Sequence, residues 1–139
     1  MKWIILPFLV LLPMVVLAIS TGDAEYPRET EPDQYFDVSK YDDTWITSDR
    51  DEDGRIDYAL RLTEELQKDR EAVDFNYDGM MDDFYFYEND VLVRQEVDTN
   101  FDGKIDLWVF LDRGVYVERY ERDTDFDGMP DVIKEYVTE

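Results

Sequence analysis

The chain has 139 residues, room for one modest domain. Its formal charge of −22, from 36 acidic and 14 basic residues, argues against nucleic acid and anionic membrane surfaces and makes cations the natural partners. With no histidine and no cysteine it lacks the preferred zinc ligands, a thiol nucleophile and any disulfide staple, while 15% aromatic content sets it apart from disordered acidic tails.

At the N-terminus, Met1 and Lys2 precede an unbroken apolar run from Trp3 to Ile19. That is the pattern of a secretory signal, with cleavage after Ser20, which puts Ala18 at the third position upstream, or after Ala18 itself. An uncleaved membrane anchor is the competing reading; 17 apolar residues are at the lower limit for spanning, and Pro7 and Pro13 weaken the helix an anchor needs. Either way the bulk of the chain is expected outside the cytosol: periplasmic, secreted or at the cell surface. Residues 21–34 are polar, contain Pro27 and Pro32, and read as a linker; residues 35–139 read as the folded domain.

Within that domain, Tyr35–Val38 and Thr44–Thr47 are expected to form a first pair of strands. A nine-residue motif then recurs four times. Asp49, Asp51, Asp53 and Asp57 mark the first copy, Asp74, Asn76, Asp78 and Asp82 the second, Asp98, Asn100, Asp102 and Asp106 the third, and Asp123, Asp125, Asp127 and Asp131 the fourth. Glycine stands at position 6 every time, and the copies start 25, 24 and 25 residues apart. Each loop is followed by a strand-like run: Tyr58–Leu62, Phe84–Tyr87, Leu107–Leu111 and Val132–Val137. A turn and a second run follow the first three, over Leu66–Val73, Val91–Val97 and Val115–Glu121. The stretch from Tyr58 to Ala72 is rich in helix formers, and only the register shared with the later units argues for strand there. Apolar residues on both faces of 107–111 imply a sheet that curls, stacks or dimerises.

The motif suits Ca²⁺, a hard cation taking six to eight oxygen ligands. Carboxylate or amide oxygens at positions 1, 3 and 5 converge along a curled backbone, and glycine at position 6 supplies the positive φ of the sharp bend. The position 7 carbonyl completes the curl, so Arg55, Met80, Lys104 and Met129 need no particular side chain. The position 8 residues Ile56, Met81, Ile105 and Pro130 anchor the loop to the core, and Asp at position 9 adds an oxygen directly or through water. Turn-forming Asp and Gly alone account for one such copy but not for four.

These loops resemble the calcium loop of the EF-hand family, and more closely its shortened relatives in dockerins, thrombospondin type 3 repeats and exported bacterial repeat proteins. The resemblance implies calcium ligation by positions 1, 3, 5, 7 and 9. It departs from the EF-hand at position 12, where Leu60, Tyr85, Val109 and Lys134 replace the bidentate glutamate, and in flanking strands rather than helices. Affinities of roughly 10⁻⁴–10⁻³ M are therefore expected, tighter in the first and fourth loops, which carry an extra carboxylate. The expected protein is mostly β: an antiparallel meander of hairpins joined by about four calcium loops, after an N-terminal signal or anchor helix. It is expected to act as an exported structural scaffold, or alternatively as a calcium-dependent module for a protein or glycan partner. Catalysis is not expected: the clustered carboxylates belong to the loops, and Ser20, Ser39 and Ser48 sit in no nucleophile motif.

Overall fold

The computed structural model describes residues 36–136. The signal or anchor expected over 1–20, the linker 21–34 and residue 35 lie outside the described residues, as do residues 137–139. The described chain is mostly β. Its strands are β1 (Ile46–Ser48), β2 (Tyr58–Leu62), β3 (Lys68–Val73), β4 (Asp83–Glu88), β5 (Val91–Val97), β6 (Leu107–Asp112), β7 (Tyr116–Arg122) and β8 (Val132–Glu135). They form one sheet in chain order, every neighbouring pair antiparallel. The helix formers of 58–72 do not prevail: β2 and β3 pair along their length, so tertiary register overrides local propensity.

The turns follow from left-handed residues. Asn89 and Asp90 (φ 50° and 68°) close β4 on β5 as a two-residue hairpin turn requires, and Arg113 and Gly114 (51° and 72°) begin the three-residue connection from β6 to β7. The β2–β3 connection is longer, with Leu66 at φ 63° and the Thr63 amide donating to the Gln67 carbonyl at 2.8 Å. Leu66 and Val115 thus belong to turns rather than to strand starts. The three hairpins each carry a register shift at the thirteenth position of the unit, after Arg61, Phe86 and Phe110.

Of the strand pair expected over Tyr35–Val38 and Thr44–Thr47, the second member is present as β1, at Ile46–Ser48 and paired with β2, while the described residues of the first, 36–38, form no strand. Asp37 and Asp42 instead bond their own backbone, accepting from the Ser39 amide at 2.9 Å and the Thr44 amide at 3.0 Å, which favours a turn over extended chain. The result is a single 3-10 turn, Val38–Lys40, and an isolated bridge between Asp37 and Met80. This segment covers one sheet face. Phe36 packs edge-on against Phe84, and Tyr41 edge-on against Trp45. Beneath lies the core of Ala59, Ala72, Met81, Phe84, Phe86, Ile105, Trp108 and Phe110. The strand aromatics are therefore largely committed to packing.

Strand register lays two rows across that face. One runs Ala59, Ala72, Phe84, Glu96, Trp108, Glu121; the next runs Arg61, Arg70, Phe86, Arg94, Phe110, Arg119. Arginines stack on the rings between them, Arg94 at 4.1 Å from the Phe86 centroid. Arg94 pairs with buried Glu96 at 3.0 Å, and Arg119 pairs with buried Glu121. Such pairs add little net stability but penalise the loss of either partner.

On the other face Glu71 accepts from Tyr58 at 2.7 Å, from Lys68 at 2.8 Å and from Tyr87. Burial pushes this carboxyl up, yet the three donors outweigh it and hold it below its ordinary value. A depressed folded value gives stabilisation that is full above the ordinary carboxyl pKa and is lost as pH falls through the lower one. Glu71→Gln should cost about 1–3 kcal/mol at neutral pH. The gap between variant and wild type should close below the ordinary value of 4.5, as denaturant midpoints at neutral and acid pH will reveal.

Candidate metal centres

The four motif loops connect β1 to β2, β3 to β4, β5 to β6 and β7 to β8. Each follows an odd-numbered strand, so all four lie at one end of the meander and the hairpin turns lie at the other.

Inside the loops the side chains organise the backbone in nearly the same way. The carboxylate at position 1 accepts from the position 6 glycine amide: Asp49 from Gly54 at 2.8 Å, Asp74 from Gly79 at 2.8 Å, Asp98 from Gly103 at 2.7 Å and Asp123 from Gly128 at 2.7 Å. The carboxylate at position 9 accepts from the position 2 amide, with Asp82 bonded to Phe75 at 2.9 Å, Asp106 to Thr99 at 2.8 Å and Asp131 to Thr124 at 2.9 Å. Asp57 does the same with Arg50. Position 5 accepts from the position 7 amide in three loops, through Asp53, Asp78 and Asp127. The glycines have φ of 83–95°, as the bend demands.

Four further features were not read from the motif. Position 4 is left-handed in every loop, at Glu52, Tyr77, Phe101 and Phe126, with φ of 60–65°. Bulky residues seldom sit there, and no spacing rule announced it. Thr99 and Thr124 add hydroxyl bonds to Asp106 and Asp131, for which threonine at position 2 was the available signal. Position 7 side chains reach the next loop: Arg55 donates to the Asp78 carbonyl at 2.8 Å and lies over Gly79, and Met80 lies over Gly103. Finally, the loops are stitched together. The Asp74 amide donates to the Asp57 carbonyl, Asp98 to Asp82 and Asp123 to Asp106, at 2.8–2.9 Å.

That stitching explains the burial pattern. Asp57, Asp74, Asp82, Asp98, Asp106 and Asp123 are at most 3% exposed, while the outermost Asp49 and Asp131 are exposed. Asp51, Asp53, Asn76, Asp78, Asn100, Asp102, Asp125 and Asp127 line the open side of the loops. At position 8, Met81 and Ile105 are buried and Ile56 and Pro130 half-buried.

In the first loop Asp49, Asp51 and Asp53 offer oxygens all within 4.8 Å of one another; in the fourth, Asp123, Asp125 and Asp131 do. Oxygens on a shell of about 2.4 Å radius lie at most about 4.8 Å apart, so the separations in both sets are within the span that one calcium shell allows. In the second and third loops the position 3 residue is amide rather than acid. Asn76 donates to Asp78 at 2.9 Å and Asn100 to Asp102 at 3.1 Å, while their carbonyl oxygens accept the Asp78 and Asp102 backbone amides at 3.0 and 3.1 Å.

Crowding shows in the acidities. Burial, with the charges of Asp74 and Asp78, pushes Asp82 up to about 6 against two amide bonds that lower it. Asp127 is the main cause of the raised value at Asp125. At Asp51 the Asp53 amide pulls down, but desolvation and the charges of Asp53, Asp57 and Asp49 together prevail. A bound cation would reverse this pressure.

The glycine bend gives a two-site prediction. A Cβ at Gly79 would lie 2.8 Å from the Arg55 guanidinium, whereas one at Gly54 meets nothing within 4 Å. Gly54→Ala should therefore cost only the backbone strain, about 1–3 kcal/mol. Gly79→Ala should cost more, because it also displaces Arg55 from the Asp78 carbonyl. Denaturant unfolding of the two variants side by side checks the order.

No protein-family profile matches this sequence, and no curated protein is similar to it. Among solved structures the fold is similar to part of accessory secretory protein 1, 2 and 3 of Streptococcus pneumoniae, at 11% identity and a TM-score of 0.47 over 68% of this chain and 17% of that one. It is also similar to part of TarM, at 16% identity and a TM-score of 0.44 over 69% of this chain and 20% of that one. This chain spans about a fifth of the length of those proteins.

Proposed function

We propose that the four loops bind calcium and that the ion fastens the sheet of an exported scaffold protein. The observation that carries the reading is the convergence of three carboxylate oxygens within 4.8 Å in the first and fourth loops. The shared bond pattern extends the reading to the second and third. The donor set is all oxygen, as a hard cation prefers, and the chain has no histidine or cysteine to favour zinc. Magnesium, which demands a smaller octahedron, fits less well. The apolar run at residues 3–19 supports export, and among the described residues no helix is long and apolar enough to cross a membrane. The role is one of binding, with no catalysis.

A second reading, a calcium-dependent module for a protein or glycan, is favoured by exposed aromatics at the loop end. Phe75, Tyr77, Phe101 and Phe126 are 43–57% exposed at positions 2 and 4. Calorimetric titration tests the first reading: about four calcium ions should bind, and magnesium much more weakly. Heat for neither ion would overturn it. Calcium binding together with calcium-dependent retention on a glycan array would move the assignment to the second.

A further inference from the structure

We propose that copies of this chain assemble head to tail, with β8 of one copy pairing to β1 of the next so that the loop array continues across the junction. Among the described residues the sheet is open, with β1 and β8 each having one neighbour. Every residue of both strands is exposed, including Ile46 at 56% and Ile133 at 56%. Repeat arrays end safely when the terminal unit turns a polar face outward, and exposed edge strands otherwise recruit another chain. Neither end here is blunted by a proline or a bulge within the strand.

The repeat itself dictates how a second copy would fit. Between consecutive units, the residue after loop position 9 pairs with the residue before the next loop: Tyr58 with Val73, Asp83 with Val97, Leu107 with Arg122. The equivalent residue on β8 is Val132, and on β1 it is Ser48. Continuing the pattern sets Val132 opposite Ser48, Ile133 opposite Thr47 and Lys134 opposite Ile46 of the next copy. Strand direction allows it, since even-numbered strands already pair antiparallel with the odd-numbered strands that follow them.

The loops point to the same junction. Three loop-to-loop stitches run from a position 1 amide to the preceding position 9 carbonyl, and among the described residues the series ends at the Asp49 amide and the Asp131 carbonyl. Both residues are exposed where their internal counterparts are buried. Met129, the fourth position 7 residue, is 68% exposed, and Gly54, where its predecessor's position 7 side chain would lie, has open space around it. A contact joining two different surfaces is head to tail, so copies add in one direction, as an open chain or, where the rotation closes, as a ring. The inference rests on strand register and stands whether or not the loops hold calcium.

The chain contains no cysteine, so engineered thiols report the junction cleanly. Directly opposed residues across an antiparallel pair lie about 4.5–5.5 Å apart at Cα, within disulfide reach. Full-length Ser48→Cys mixed with Val132→Cys, and Thr47→Cys mixed with Ile133→Cys, in mild detergent and under gentle oxidation, should form disulfide dimers. They should do so at least tenfold faster than the out-of-register mixture of Thr47→Cys with Val132→Cys, and none of the variants should crosslink alone. Val132→Cys crosslinking with itself as fast as with Ser48→Cys would show two β8 edges meeting and overturn the proposal. So would the absence of any crosslink from micromolar to millimolar protein. The crosslinking is read in calcium, where the sheet is folded whether or not the loops hold the ion, so its failure is distinct from a failure of the calcium reading, which the chelator arm reports.

Discussion

Chelating calcium should melt the sheet at ordinary temperature, with loss of the β signal in circular dichroism and its return when calcium is restored. The chain has no disulfide to hold it. Its six most buried loop carboxylates are at most 3% exposed, and at that depth they favour a cation over one another's company. With dissociation constants of roughly 10⁻⁴–10⁻³ M, calcium at about 10 mM stabilises the fold by about 1.4–2.7 kcal/mol per loop, or roughly 6–11 kcal/mol for four. A small domain has a total stability of about 5–15 kcal/mol. The metal contribution is therefore comparable to the whole, and binding and folding become one equilibrium. A melting temperature that ignores chelator and calcium alike would contradict the coupling.

The second large effect falls on Asp98. Its side chain is 1% exposed, accepts from Gly103 at 2.7 Å and Asp102 at 3.2 Å, and supplies an expected calcium ligand. Asp98→Ala should remove one site and orphan the loop amides, costing about 1–3 kcal/mol in chelator, measured with enough stabilising osmolyte to keep the sheet folded, and more in calcium. Asp98→Asn keeps an oxygen for the glycine amide while removing a charge from the cluster. It should match or exceed wild-type stability in chelator and fall below it in calcium. That reversal separates a ligand from a structural acceptor, and calorimetric stoichiometry should fall by one ion in both variants. An Asn variant less stable than wild type in both conditions, with no change in stoichiometry, would assign Asp98 to structure alone.

The loops and the strand order were legible because the repeat is written in residue types with narrow backbone and side-chain roles. Glycine at position 6 turns the chain as its chemistry suggests, while aspartates at positions 1 and 9, expected as metal ligands, accept backbone amides, a role the motif did not announce. Alternating β-branched and aromatic residues marked the strands, and the shared offset of Leu66, Val91 and Val115 placed the turns to within about two residues. The N-terminal segment was misread because Phe36 and Val38 look strand-like, while the decisive interactions are the short bonds of Asp37 and Asp42 to their neighbours. The left-handed position 4 and the stitches between loops were invisible for a different reason. They depend on backbone groups, which every residue type carries. The arginine row over Phe86 and Phe110 required register across six strands, which no single segment encodes.

A cation held inside the loops is the feature on which the fold's stability and its proposed role both depend. Crystals grown in calcium and measured for anomalous scattering should show a peak in each loop, ringed at about 2.3–2.6 Å by oxygens of positions 1, 3 and 5 and the position 7 carbonyl. Well-ordered loops with no anomalous peak, or with peaks only on the outer surface away from Asp49, Asp74, Asp98 and Asp123, would contradict it.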